Sequence, residues 1–209
     1  MEAALARVDG EDVAHALKVA ARFVRSTTPE EHLAACLRGR PGLENVLGLI
    51  EGLDHVGFLA PVDVAPELPA VAAAAGFDVD PHTFESTILA RHLAELAQRE
   101  AVPTSIFKAR WATTDGGTTG VEVAMPGAVG RKQVREWIAG GVGTHVAFRV
   151  RTPSCFAQLG EILTAAGYRM PAFTGGRAMT NPVEQLEAVF FDRRPDEPVG
   201  LEFCAYDAS

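Results

Sequence analysis

The chain has 209 residues, 19 Lys plus Arg against 27 Asp plus Glu for a formal charge of −8, and 47% apolar against 22% charged residues. These are the proportions of a globular chain long enough for one core or two closely packed small ones, and they exclude general disorder. The acidic balance, without a run of basic residues, speaks against a nucleic-acid partner, and no stretch approaches the roughly 20 consecutive apolar residues of a membrane span. Glu2, Asp9, Glu11 and Asp12 against the single Arg7 are unlike the basic start of a secretion signal, so a cytoplasmic location is expected. Cys36, Cys155 and Cys204 are an odd number without CxxC spacing, which favours reduced thiols over a disulfide framework or a thiolate zinc site.

Residues 1–51 read as a helical extension with no chemistry of its own. Val13, Leu17, Ala20, Ala21 and Val24 recur at the spacing of one helical stripe. Thr28, Pro29 and Glu31 have the order of a capping box ahead of a second helix that buries Leu33, Ala34 and Leu37 and ends at Gly39. A third short helix is expected over Leu43 to Ile50. His15 and His32 in this region read as surface or packing residues.

Beyond Gly52 the texture changes to short β-like runs, and the chain repeats itself. Leu53-Asp54-His55-Val56-Gly57-Phe58 matches Gly143-Thr144-His145-Val146-Ala147-Phe148, each a His-Val-small-Phe strand. A small-residue helix follows each and ends in Ala-Gly-aromatic, with Gly76 placed 21 residues after His55 and Gly167 placed 22 after His145. The copies close alike, in Gly120-Val121-Glu122-Val123 and Gly200-Leu201-Glu202-Phe203. Each copy therefore reads strand, helix and about three strands: a module over 52–126, a linker over 127–141 with a helix from Arg131 to Ile138, and a module over 142–209. From the His to the Glu the first copy spans 67 residues and the second 57, so an insertion is required, and the helical segment 83–100 supplies it by replacing or preceding the second strand. The fold class is α+β.

Strand alternation places His55 on a face with Leu53, Gly57 and Leu59, His145 with Arg149, and Glu202 with Cys204 and Tyr206. A carboxylate inside an apolar strand is costly unless it is neutralised, paired or bound to metal. Two acids and two imidazoles at matching phases converge if the copies pair about a pseudo-twofold axis, giving an N2O2 site suited to a divalent Fe, Ni, Zn, Co or Mn ion. Arg149 is placed to bind a substrate carboxylate or phosphate, and Tyr206 and Cys204 share the Glu202 face as pocket-lining residues. The inward side of Lys108-Ala109-Arg110 depends on a register that the sequence leaves open. His82 and His92 lack the spacing of a metal pair. The Gly-Gly pairs lie outside any nucleotide-binding context, and no Gly-x-Ser-x-Gly elbow appears.

The His55 and His145 strands and the closing Gly-Leu-Glu-Phe around Glu202 resemble the vicinal oxygen chelate superfamily, which includes glyoxalase I, type I extradiol dioxygenases, epimerases and bleomycin resistance proteins. The resemblance covers about residues 52–207. It implies paired βαβββ modules in an eight-stranded half-barrel and one divalent ion per chain on His55, Glu122, His145 and Glu202. It also implies a small-molecule substrate held by vicinal oxygens, and it allows a homodimer. In a glyoxalase I-like isomerase, epimerase or lyase, Glu122 or Glu202 is displaced by substrate and serves as the base. A second reading keeps His55, His145 and Glu202 as a two-His-one-carboxylate face for Fe(II) and O2, since the His145 strand is also similar to that of 4-hydroxyphenylpyruvate dioxygenase-like proteins. A third is a non-catalytic protein that sequesters a drug or metabolite.

Overall fold

The structure, a computed structural model, describes residues 13–26, 28, 30–31, 33–34, 42–77, 79–112, 118–140, 142–171, 174–181, 185–192 and 200–206. Its centre is one eight-stranded mixed sheet, curled into a half-barrel, with strand order β2-β3-β4-β1-β5-β8-β7-β6. The strands are β1 (Ile50–Leu59), β2 (Val79–Glu85), β3 (Thr104–Ala112), β4 (Thr118–Pro126), β5 (His145–Val150), β6 (Met179–Asn181), β7 (Leu186–Phe191) and β8 (Gly200–Tyr206). The helices are α1 (Val13–Ser26), α2 (Leu43–Leu47), α3 (Leu68–Ala75), α4 (Thr87–Ala97), α5 (Arg131–Ala139) and α6 (Cys155–Ala165). This is an α+β architecture. No described helix is long and apolar enough to cross a membrane.

The repeated sequences occupy equivalent places in the hydrogen-bond ladder. β1 runs parallel to β4 with His55 opposite Gly120 and Gly57 opposite Glu122. β5 runs parallel to β8 with His145 opposite Gly200 and Ala147 opposite Glu202. The two halves meet where β1 and β5 pair antiparallel: Val56 faces Val146, and each histidine lies opposite the small residue two places beyond the other histidine. A local twofold axis therefore passes between the two valines. The Ala-Gly-aromatic repeat has an equally local cause. Gly76 and Gly167 take left-handed conformations (φ 89° and 88°) that end α3 and α6, and the amides of Phe77 and Tyr168 bond back to Ala72 and Leu163. Both aromatic rings are thereby turned into the core.

The outer face of the sheet carries the main core. Val56, Phe58, Phe107, Ala109, Trp111, Val121, Val123, Val146, Phe148, Leu201 and Phe203 pack there against α1, α3 and α6. α1 belongs to this core rather than standing apart from it. Its stripe is wider than the spacing predicts, adding Ala16 and Phe23 to the buried set. Arg25 stacks over Trp111 with 4.8 Å from guanidinium carbon to ring centroid and donates to the Gly76 carbonyl that ends α3. Thr28 and Glu31 exchange the two bonds of a capping box, Thr28 N–H to the Glu31 carboxylate at 2.8 Å and Glu31 N–H to Thr28 Oγ1 at 3.2 Å. Leu37, Gly39 and His32 lie outside the described residues.

Three expectations about elements change. The segment 43–50 is helical only as far as Leu47, and Ile50 already belongs to β1. Residues 83–85 are not helix but the end of β2, and α4 follows β2 instead of replacing or preceding it. With α5, α4 covers the inner face of the first half at one end, burying Leu93, Ala94, Val134 and Trp137 against Leu59, Phe84, Ile106 and Ala124. The inner face of the second half is a small apolar patch of Ala147, Leu186, Ala188 and Cys204 with Phe190 and Tyr206 at its margin.

Candidate metal centre

β1 carries the first element of the site through a defect in its ladder. Leu53 pairs with Phe148 and His55 with Ala147, so Asp54 is an extra residue in β1 against β5. The bulge reverses the phase of alternation. Leu53 lies in the outer core with Val56 and Phe58, three and five residues further on, rather than on the face of His55 as strict alternation requires. Asp54 and His55, although adjacent, both turn inward: Asp54 Oδ2 lies 2.8 Å from His55 Nδ1. The Asp54 carbonyl accepts from Thr119 Oγ1 at 3.2 Å.

β5 brings His145 across β1. The bare Cα of Gly57 makes this approach possible, because a Cβ there would lie 2.0 Å from His145 Cε1. His145 Nδ1 lies 3.0 Å from the Gly143 carbonyl, which only accepts, so this nitrogen carries its proton. Asp54 makes the same demand of His55 Nδ1. With Nδ1 carrying the proton in each ring, the two Nε2 atoms are left to face one another at 3.0 Å. Two acceptors at that distance repel unless a cation lies between them.

The carboxylates enlarge the same demand. Glu202 Oε2 is 3.2 Å from His145 Nε2 and 3.6 Å from His55 Nε2, and Glu122 Oε2 is 3.4 Å from His55 Nε2. Ligand atoms held about 2.0–2.2 Å from a common ion stand roughly 3–3.5 Å apart, so the two imidazoles and Glu202 fit a divalent metal, while Glu122 approaches His55 alone. Among the described residues, His55, His145 and Glu202 form a group whose ligand atoms all lie within 4.8 Å of one another and can hold a metal ion. Without such an ion a proton takes its place. Burial opposes charge on His55, yet Glu122, Asp54 and Glu202 raise its pKa from 6.5 to about 10. Burial likewise pushes both glutamates up, but the imidazoles bring Glu202 down to about 2, and His55 with Lys108 hold Glu122 below the usual carboxylate range.

Lys108 settles which side of β3 faces inward. Phe107, Ala109 and Trp111 join the outer core, leaving Lys108 and Arg110 on the inner face, with Lys108 opposite Glu122 and Arg110 opposite Gly120. Lys108 is fully buried; its Nζ is 2.5 Å from Glu122 Oε1 and 4.0 Å from Asp54 Oδ2.

Asp54 is the hub of a second ring of contacts. Arg149 Nη2 donates to Asp54 Oδ1 and to the Thr118 carbonyl, each at 2.9 Å. Tyr206 OH donates to Asp54 Oδ2 at 2.9 Å and accepts from Arg110 Nη2 at 3.1 Å. Burial alone would raise the Asp54 pKa, but the His55 hydrogen bond and the Lys108 charge drive it far below the ordinary range. A carboxylate so held fixes the His55 tautomer and orients its ring, the usual function of the outer partner of a metal-binding histidine.

The structure thus gathers His55, His145 and Glu202 at one point, sets Glu122 beside His55 and Lys108, and places Arg149 and Tyr206 one layer further out, bonded to Asp54. Cys204 lies on the inner face, buried, with its thiol donating to the Phe148 carbonyl at 3.6 Å and its pKa raised by burial. His82 stacks on Phe84 at the edge strand, with ring centroids 5.6 Å apart. Asp54 and Gly57 are site residues whose part the motifs do not announce, and Lys108 is one whose inward direction the sequence leaves open. The Asp-His dipeptide was the available signal for the first, but alternation sends adjacent residues to opposite faces unless a bulge intervenes.

Two halves joined through antiparallel first strands, each first strand parallel to the last strand of its own half, constitute the vicinal oxygen chelate fold. Among solved structures, the chain is similar to Streptomyces coelicolor methylmalonyl-CoA epimerase in complex with 2-nitronate-propionyl-CoA, with a TM-score of 0.50 and 19% identity over 76% of this chain and 99% of that one. It is similar as well to a methylmalonyl-CoA epimerase in complex with methylmalonyl-CoA and NH4+, with a TM-score of 0.50 and 18% identity over 77% of this chain and 96% of that one. At this identity the likeness is one of fold. No family model and no curated protein matches the chain.

Proposed function

We propose that this chain is a metal-dependent enzyme that moves a proton at a carbon beside a carbonyl of a small oxygenated substrate, an isomerase or epimerase of the glyoxalase I-like kind. The observation that carries this reading is the pair of imidazole lone pairs opposed at 3.0 Å with the Glu202 carboxylate beside them. His55, His145 and Glu202 would hold the ion. When bound, a divalent ion there supplies Lewis acidity, drawing two neighbouring substrate oxygens together and acidifying the adjacent C–H.

The remaining work falls to this chain's own groups. Glu122 is a carboxylate at neutral pH because His55 and Lys108 keep it so, and it stands at the margin of the site as the proton acceptor. The C–H electron pair stays on the substrate as the proton passes to Glu122 Oε2. The Glu122 carboxyl then returns that proton to the neighbouring carbon, as an isomerase requires, so nothing is gained or lost overall. Asp54 keeps Nδ1 of His55 protonated and Nε2 available. The inner apolar patch and the α4–α5 cover limit water at the reacting carbon.

Acyl-CoA thioesters bearing an acidic C–H head the substrate panel, since one similar structure is in complex with methylmalonyl-CoA and another with 2-nitronate-propionyl-CoA. The metal-loaded protein is incubated in D2O with this panel and with 2-hydroxycarbonyl compounds. Deuterium incorporation that requires the metal and is lost in Glu122→Gln is the expected result. A second reading rests on a specific feature: the tight ligand group is two histidines and one carboxylate, the set used with Fe(II) and O2. Iron-dependent oxygen uptake without deuterium incorporation would transfer the conclusion to that reading.

A further inference from the structure

The two glutamates occupy equivalent ladder positions but face different partners. Across β3–β4, Glu122 stands opposite Lys108. Across β7–β8, Glu202 stands opposite Phe190. Lys108 is completely buried, on the inner face, and its ammonium contacts Glu122 Oε1 at 2.5 Å. Glu202 points its Oε2 at both imidazoles instead, at 3.2 and 3.6 Å. An ammonium and a metal ion compete for the same carboxylate lone pairs, and in a buried site neither carboxylate nor ammonium is left unpaired without cost.

We infer that Lys108 is a positioning residue that retains Glu122 outside the metal's ligand set, making a four-ligand fold position into a three-ligand site with a tethered base. The inference rests on the proposed metal-dependent reading and assigns Lys108 a part in it. Oε1 is held in an ion pair by the Lys108 ammonium. Oε2 lies 3.4 Å from His55 Nε2, at the margin of the three-residue group. The ion then has His55, His145 and Glu202 from the protein, and its other positions are left to substrate oxygens.

Co(II) titration of the chelator-treated full chain tests this, because the visible bands of Co(II) report the number of ligands. Wild type binds one Co(II). Glu122→Gln keeps the same spectrum and a Kd within about two-fold, since the residue contributes no bond to the ion, whereas loss of an outer partner typically costs 10–100-fold and loss of a ligand more. In Lys108→Met the released carboxylate joins the ion, so the bands weaken and shift. The change disappears in Lys108→Met/Glu122→Gln, which separates ligand entry from the mere loss of a positive charge. Should Lys108→Met fail to fold by circular dichroism, the Glu122→Gln spectrum decides alone. A Glu122→Gln Kd more than tenfold weaker with altered bands, or a Lys108→Met spectrum identical to wild type, overturns the assignment while leaving the metal reading intact. No Co(II) binding by wild type overturns both.

Discussion

The inner walls of the two halves share one backbone pattern and differ in chemistry. The first half lines its wall with Asp54, Lys108, Arg110 and Glu122. The second offers Ala147, Leu186, Ala188 and Cys204 around Glu202. Equivalent carboxylates therefore receive different work. Glu202, set among apolar neighbours, satisfies itself on the imidazoles. Glu122, set opposite an ammonium, is divided between Lys108 and His55. A duplicated fold supplies symmetric positions, and the neighbour across the ladder decides what each one does.

The most disruptive way to break the asymmetry is to copy it. Phe190→Lys places an ammonium opposite Glu202, as Lys108 stands opposite Glu122. Metal affinity should fall by about 10–100-fold, the range for a disturbed partner of a ligand, measured by competition with a chromophoric chelator. Unchanged affinity would mean that the cross-strand neighbour does not govern ligand choice.

A smaller effect is expected from equalising the residues opposite the histidines. Gly57 admits the His145 ring, whereas its counterpart Ala147 tolerates a Cβ opposite His55. Gly57→Ala should displace His145 and weaken metal binding by about tenfold. Thermal unfolding of the metal-free protein should change far less, because the ring is a movable side chain and not backbone.

The smallest effect concerns pH. The raised pKa of His55, from 6.5 to about 10, gives the metal-free protein stability that is complete below pH 6.5 and is lost as pH rises toward 10. The lowered pKa values of Asp54 and Glu202 give stability that is present above the ordinary carboxylate range of about pH 4–5 and is lost as pH falls below it. The melting temperature without metal should therefore peak near pH 5–6.5. With saturating Zn(II) the alkaline decline should vanish, because the ion replaces the proton. A metal-free profile flat from pH 6.5 to 10 would contradict the lone-pair arrangement.

Much of the architecture was legible because it repeats. His-Val-small-Phe, Ala-Gly-aromatic and Gly-x-Glu each serve a local need, so each appears twice at nearly the same spacing. The alternation of Glu202, Cys204 and Tyr206 against Leu201, Phe203 and Ala205 matches the observed faces. Asp54 was hidden because one extra residue in β1 inverts the phase on one side of it, and Leu53 was misplaced for the same reason. The sequence leaves β2 unplaced because it is an edge strand with exposed Pro81, His82 and Thr83, and edges dispense with both apolar alternation and a full set of N–H donors. Lys108 was seen as half of a basic pair, but only the β3–β4 register shows that its side faces inward.

The central claim is that opposed imidazole lone pairs and Glu202 hold one divalent ion. Elemental analysis of protein purified without a chelating column tests it most directly, with His145→Ala prepared in parallel. Close to one Fe, Ni, Zn, Co or Mn per wild-type chain, with little in the variant, is the predicted result. Equal metal content in the two proteins, or none in wild type even after incubation with these ions, would contradict it.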